Sequence, residues 1–262
     1  MEIKIPQVLR ARGFRLYLAD RQRLVDLWLN GGAAALGHTP PNLLRELKNT
    51  ASRGLYAPFP HFTEGRFIKA LSKLLPERNF RLYAAPPQEL TALYESGGVK
   101  LWRPFINPAS PFAADKNTPL LIPVIPGIQT WRGEMPLGLC VAAAQRGSDA
   151  AEKLLSQLPP GDALSPVLLA VAARGVYDLL AAPERGKPHC VRVAKALKAD
   201  KCRWQRRGIY LTLKDAPSPS EWETLFNKFL QAGFLLPPVP NQPVILPGEL
   251  SDGEEAKLAA LL

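Results

Sequence analysis

The chain has 262 residues, of which 47% are hydrophobic and 21% charged, and this balance excludes wholesale disorder. No apolar run approaches the roughly 18 residues that cross a bilayer, and the N-terminal segment lacks a signal-peptide core, so we expect a cytoplasmic protein with no membrane contact. The formal net charge of +10 leaves a basic nucleic-acid-binding module as an alternative, but no zinc-finger, RNP-like or helix-turn-helix motif supports it.

The first 75 residues predict a β-hairpin followed by two helices. Alternating apolar and polar residues flank a polar turn, and the run 31–38 (GGAAALGH) is small enough for close backbone approach to packed protein or a ligand. Leucines at helical spacing then follow a Thr-Pro start signal. The predicted strands are 14–19 and 24–29, and the predicted helices run from about 39 to 54 and from 64 to 75.

The middle of the chain is rich in proline and less regular. Strands are predicted at 80–84, 99–106 and 120–125, and helices up to 94, at 149–158 and at 165–181. The helix at 165–181 is apolar nearly all round, which predicts a central position. Segment 137–144 (LGLCVAAA) fits a buried strand or the start of a buried helix, and periodicity does not separate the two.

The last 70 residues are regular again. Two capping boxes, Ser218 with Glu221 and Ser251 with Glu254, predict helix starts. A helix at 192–198 and strands at 209–213, 234–236 and 244–246 are predicted around them. The simplest architecture is α/β, with residues 1–78 plus 190–262 forming one domain and 79–189 a reduced central lobe.

Three segments near the two chain ends carry a recognisable pattern: 15–30 (RLYLADRQRLVDLWLN), 31–41 (GGAAALGHTPP) and 233–251 (GFLLPPVPNQPVILPGELS). They resemble class III pyridoxal-phosphate-dependent aminotransferases, in particular glutamate-1-semialdehyde aminotransferases. The first is similar to the opening hairpin of that family, the second to its small-residue run ending in Gly-His-x-x-Pro, and the third to its Gly-Val-Leu-Leu-Pro-Pro strand and closing elements. The resemblance implies a fold type I small α+β domain built from both chain ends, and a homodimer.

The chemistry of that family needs a buried Schiff-base lysine, a carboxylate at the ring nitrogen and a glycine-rich phosphate turn. Here AAPPQEL stands where the resemblance places that turn, and Pro86 and Pro87 have no amide N–H to offer a phosphate. No Asp-Glu-x-x-x-Gly segment and no lysine before a triple glycine occurs. We therefore expect a degenerate, truncated member without transaminase activity or cofactor, which binds a small anionic ligand or a protein partner.

An active pyridoxal-phosphate-dependent aminotransferase or aminomutase-like enzyme with a relocated lysine is the alternative. Its candidate lysines are Lys100 and Lys116, although neither sequence context predicts burial. Segment 130–144 resembles the Thr-aromatic-x-Gly-Asn-Pro motif of the family, with one residue inserted. This implies cofactor contacts by Thr130 and Gly133, whereas the residues themselves favour a loop leading into a buried segment.

Two further residues are candidates for lining a ligand site. His38 follows a glycine just before a helix, and Arg207 lies in a segment (RGIYL) that resembles an Arg-Gly segment of the family. The plainer interpretations are a backbone hydrogen bond for the histidine and a solvated charge for the arginine. The three cysteines and three histidines lack metal-ligand spacing, so no metal is expected.

Overall fold

The computed structural model describes residues 3–262, apart from the side chain of Arg132, and divides the chain into two units. The terminal unit comprises the chain up to Pro40, Phe105–Ala109 and Glu184–Leu262. The central unit comprises Pro41–Pro104 and Ser110–Pro183. Each unit is therefore built from segments that are distant in the sequence.

The described chain contains strands β1 to β13 and helices α1 to α8. The strands are β1 (Val8–Arg12), β2 (Arg15–Leu18), β3 (Arg23–Asp26), β4 (Arg78–Tyr83), β5 (Lys100–Trp102), β6 (Leu120–Pro123), β7 (Thr130–Arg132), β8 (Met135–Leu137), β9 (Cys140–Gln145), β10 (Trp204–Arg207), β11 (Tyr210–Leu213), β12 (Phe234–Leu235) and β13 (Val244–Ile245). The helices are α1 (Pro41–Ala51), α2 (Thr63–Leu74), α3 (Gln88–Glu95), α4 (Asp149–Ser156), α5 (Pro166–Leu180), α6 (Val191–Ala196), α7 (Pro219–Gln231) and α8 (Asp252–Leu261). Short 3₁₀ turns occupy Asn30–Gly32 and Pro183–Gly186.

The terminal unit contains two small sheets. One has the order β1-β2-β3-β12, in which β12 runs parallel to β3, and the other has the order β10-β11-β13. Their inner faces form a core with α7, to which Trp222, Phe226 and Phe229 contribute. This core joins residues near both chain ends.

The central unit has a four-stranded sheet of order β4-β9-β6-β5 and a separate β7-β8 hairpin. Helices α1 and α2 both pack on α5, which buries most of its surface. Gly175 lies in the middle of α5, where an added Cβ would collide with the carbonyl oxygen of Pro126. Close packing of the helix on that loop therefore requires glycine.

The predicted hairpin, the two front helices and both capping boxes are confirmed. Segment 137–144 proves to carry β9, an interior strand between β4 and β6 whose residues from Cys140 to Ala144 are all buried. The predicted strand at 99–106 is wrong beyond Trp102, because Pro104 has no N–H and Phe105 turns the chain with a φ of 66°. Strands β1, β7, β8 and β10 were not predicted.

The predicted boundaries placed 41–78 with the chain ends. In the structure α1 and α2 belong to the central unit, because their apolar faces pack on α5. Residues 105–109 and 184–189 lie instead in the terminal unit. Within residues 3–262, no single helix is long and apolar enough to cross a membrane; only Pro166–Leu180 and Pro183–Ala196 taken together reach that length and composition.

Candidate functional site

A buried polar cluster lies in the terminal unit where β3 ends. Asp26, which is 1% exposed, accepts hydrogen bonds on Oδ1 from the backbone N–H groups of Trp28 (2.8 Å) and Leu29 (2.9 Å). Its Oδ2 lies 2.8 Å from Nε2 of His38. One carboxylate thus satisfies two buried amides and orients an imidazole.

The turn 30–38 packs closely on the first hairpin. The backbone N–H of His38 donates to the carbonyl of Gly13 (2.8 Å), and a Cβ on Gly37 would lie 3.2 Å from the same oxygen. The small-residue run therefore packs against protein backbone. His38 makes the predicted backbone bond, and its ring belongs to the Asp26 pair.

A buried arginine lies beside this turn. Arg185 donates from Nε to the carbonyl of Ala35 (2.8 Å) and from Nη2 to the carbonyl of Leu246 (2.5 Å), and its guanidinium carbon lies 5.2 Å from the centre of the Phe14 ring. Burial lowers the pKa of Arg185 to about 10, so the group stays charged at neutral pH. No sequence signal marks it, because it lies in a polar loop (PERGK).

The lysines do not form a site. Lys100 is exposed on β5, as its alternation with apolar neighbours predicted, and Lys116 is exposed in the loop before β6. Every other lysine in residues 3–262 is exposed as well. A Schiff-base lysine is ordinarily buried, because burial lowers the pKa of an amine. No lysine side chain in residues 3–262 is buried.

Thr130 and Gly133 lie in the β7-β8 hairpin of the central unit, which replaces the predicted loop. Thr130 is exposed, and its Oγ1 donates to the carbonyl of Leu137 (3.3 Å) across the hairpin. Gly133 forms the exposed turn with a φ of 56°. In the same hairpin Glu134 accepts from the Tyr94 hydroxyl (2.9 Å), and burial together with this bond raises the pKa of Tyr94 to about 12.

The turn after β4 stands where the resemblance implies a phosphate site. The N–H of Ala84 donates to Oδ2 of Asp162 (2.8 Å), and Pro87 is the N-cap of α3 without a side-chain capping bond. The Asp162 carboxylate thus occupies the amide of Ala84, and Pro86 and Pro87 have no N–H, so Ala85 has the one remaining amide between them. This turn therefore lacks the run of free amides that holds a phosphate.

Arg207 is exposed on β10 opposite Tyr210, consistent with a solvated charge. Its neighbour Arg206 donates from Nε to the carbonyl of Gly208 (2.7 Å), so it holds the turn between β10 and β11. In the described chain, no group of three or more His, Cys, Asp or Glu side chains could hold a metal ion.

Two proteins of known sequence are similar to this chain. No family model matches the chain. An uncharacterized protein of Treponema pallidum (strain Nichols) is 27% identical over an alignment 292 residues long. The alignment covers 92% of this chain and 89% of that protein. An uncharacterized protein of Borreliella burgdorferi is 40% identical over 73 residues, covering 28% of this chain and 27% of that protein.

Solved aminotransferase structures align with nearly the whole chain. Ornithine aminotransferase of Plasmodium yoelii has a TM-score of 0.63 and 11% identity, covering 98% of this chain and 92% of that one. Acetylornithine aminotransferase of Elizabethkingia anophelis has a TM-score of 0.65 and 10% identity, covering 100% and 93%. The chain has the fold of pyridoxal-phosphate-dependent aminotransferases.

Within this aminotransferase fold, the residues present do not fit pyridoxal phosphate. The lysines are exposed, and the turn after β4 presents Asp162 and two prolines where the phosphate would need amides. Asp26 is buried, but two backbone amides and His38 already occupy its oxygens. The aligned aminotransferase structures are 10–13% identical to this chain. Such a similarity shows a shared fold, and a shared fold does not imply the same reaction.

Proposed function

We propose that this protein is a degenerate aminotransferase-fold protein that binds a ligand without catalysing transamination. The exposure of every lysine in residues 3–262 carries the proposal, because a cofactor lysine is enclosed in the site that holds the cofactor ring. An exposed lysine can react with free pyridoxal phosphate in solution, but its surroundings do not hold the cofactor aldehyde against the amine. The Ala84–Asp162 hydrogen bond supports the same conclusion independently.

Descent from class III aminotransferases, a homodimer and a cytoplasmic location form part of this proposal. Their support is the resemblance of segments 15–41 and 233–251 to that family. A size-exclusion measurement with light scattering tests the dimer. A monomeric mass across the accessible concentration range would remove that part of the proposal and leave the rest intact.

The decisive experiment traps any Schiff base. The purified protein is incubated with pyridoxal phosphate, reduced with borohydride and analysed by peptide mass spectrometry. We expect partial modification spread over several exposed lysines and no absorbance band that survives dialysis. Complete modification of a single lysine, with a persistent band, would contradict the proposal and favour the active-enzyme alternative.

Two variants give this experiment a matched control. Lys100→Arg and Lys116→Arg each remove one candidate amine from an exposed position and keep its charge. We expect the total labelling to fall only by the share of the removed lysine. Loss of all labelling in either variant would identify that residue as a cofactor lysine.

A further inference from the structure

The net charge of the chain is concentrated in one segment of the terminal unit. Residues 185–214 contain ten of the 33 lysines and arginines but one of the 23 aspartates and glutamates, so this segment has a net charge of +9. The rest of the chain contains 23 basic and 22 acidic residues, which leaves a net charge of +1. Charge of one sign gathered in this way creates a positive potential that attracts anions.

The fold keeps these charges at the surface. Of the ten basic side chains in 185–214, eight are exposed, whereas Arg185 is buried and Arg206 is half-buried. The ion pairs found within residues 3–262 join other residues and include none of the ten. The positive charge of this segment is therefore not neutralised by carboxylates of the same chain.

Two carboxylates lie close to these charges, but backbone amides engage both of them. Glu221 interacts electrostatically with Arg203, and its Oε2 accepts the backbone N–H of Ser218 (2.8 Å) in the capping box of α7. Glu255 accepts the backbone N–H of Arg192 (2.6 Å) on Oε1 at the start of α6. Both carboxylates thus fix the start of a helix rather than pair with a basic side chain.

Helix α6 and the turn after it form the first part of the basic surface. Arg192, Lys195 and Lys198 are all exposed and recur at every third residue, so their side chains lie along one side of the helix. Val193 instead packs in the core of the terminal unit. The helix therefore presents a row of positive charges to solvent.

The β10-β11 hairpin forms the second part. Arg203 and Arg207 flank β10, the edge strand of its sheet, on the side opposite the buried Trp204, about 13 Å apart along the strand. The backbone N–H of Lys214 donates to the carbonyl of Arg203 (2.8 Å), which places these two exposed residues side by side. Trp204 lies in the same core as Val193, so the helix and the hairpin present their charges outward from one core.

The composition of this surface indicates which kind of anion it fits. Among the exposed large hydrophobic side chains, Val191 is the one that lies within 185–214. Stable attachment to an anionic bilayer requires inserted apolar groups, and a stable protein interface requires an apolar centre. A small anion would meet only one or two of the charges. A nucleic acid backbone offers a row of phosphates and needs no apolar contact.

We propose that the basic surface formed by α6 and the β10-β11 hairpin binds the phosphodiester backbone of a nucleic acid without reading its base sequence. Contacts to phosphates alone carry no sequence information, which fits a chain without a base-reading motif. The binding depends on the folded arrangement of the two elements and on no residue that would hold a cofactor. It therefore stands whether or not the protein transaminates.

The test is fluorescence anisotropy of labelled duplex DNA and duplex RNA titrated with the full chain. We expect a dissociation constant of about 1–100 µM at physiological salt. If about four to six phosphates are contacted, the affinity should fall by about 10²–10³-fold between 50 and 200 mM salt. The duplex that binds more tightly identifies the source of the backbone. Absence of binding to both duplexes at 50 mM salt would overturn the proposal.

Other ligands test the choice of partner. A second duplex of unrelated sequence should bind with an affinity similar to the first, and more than about tenfold preference for one sequence would contradict binding through the backbone alone. Phosphatidylserine vesicles and polyglutamate should compete poorly with the labelled duplex. Equal or stronger binding of either one would replace the nucleic acid with a membrane or an acidic protein segment.

Double variants locate the binding surface. Each one removes two exposed positive charges, so all of them change the net charge equally. Substitutions in α6 or in the hairpin should each reduce the slope of log affinity against log salt by about 2, whereas the control in the central unit should leave it unchanged. An unchanged slope in both surface variants would overturn the proposal, as would equal weakening by the control. The α6 variant, the hairpin variant and the control are Lys195→Gln with Lys198→Gln, Arg203→Gln with Arg207→Gln, and Lys48→Gln with Lys100→Gln.

Discussion

Asp26 should be one of the most sensitive positions for the stability of the terminal unit. Replacing it with alanine removes the acceptor for two buried backbone amides and for His38. A buried donor left without a partner costs about 1–3 kcal/mol, so we expect Asp26→Ala to lose about 3–5 kcal/mol of unfolding free energy. Asp26→Asn keeps one carbonyl oxygen for the amides and should lose only about 1–2 kcal/mol.

Urea unfolding followed by tryptophan fluorescence measures both variants, since Trp28 lies in the cluster. With an m-value of about 3 kcal/mol/M, the alanine variant should unfold at a midpoint at least about 1 M lower than the wild type. Asp215→Ala is the control, because that aspartate is exposed and should change the free energy by less than about 0.5 kcal/mol. An alanine variant as stable as the asparagine variant would refute the assigned role of the carboxylate.

Three further predictions concern packing, pH and thiol reactivity. Gly175→Ala should lose about 1–3 kcal/mol through overpacking, whereas Gly65→Ala, at an open helix position, should gain up to about 1 kcal/mol. Burial alone would raise the pKa of Glu254, but hydrogen bonds from Arg15 and a backbone amide outweigh it and lower the pKa to about 2. This stabilisation is complete above pH 4.5 and is lost as the pH falls towards 2, so the advantage of the wild type over Glu254→Gln should shrink across that window. Burial raises the pKa of Cys140 to about 12, so its labelling by a thiol reagent should be slow in the native state and rapid in denaturant.

Each of these has a clear opposing result. Equal effects of the two glycine substitutions on the denaturation midpoint would show that the loop at Pro126 moves to accommodate a methyl group on α5 without loss of stability. A constant difference between the wild type and Glu254→Gln from pH 5 to pH 2 would remove the linkage argument. Rapid native labelling of Cys140, detected by mass spectrometry, would show that β9 opens easily to solvent.

The sequence predicted part of the candidate site and missed the rest for a physical reason. His38 was identified from its position after Gly37, but its partner was not, although a lone aspartate in the apolar segment LVDLWL is a recognisable signal. Arg185 was missed because nothing in a polar loop predicts burial. Lys100 was placed correctly on an exposed strand position, because alternation with Val99 and Leu101 is a local property.

Local sequence determined the helix starts at both capping boxes, the buried character of α5 and the loss of phosphate-binding amides at Pro86 and Pro87. Each of these depends on residues within one turn of one another, where spacing and backbone chemistry decide the outcome. Tertiary structure alone decided that Ala84 meets Asp162, 78 positions away, and that Arg185 meets Ala35, 150 positions away. Such pairs form because each unit gathers distant segments into one core, and no periodicity along the chain encodes which segments will meet.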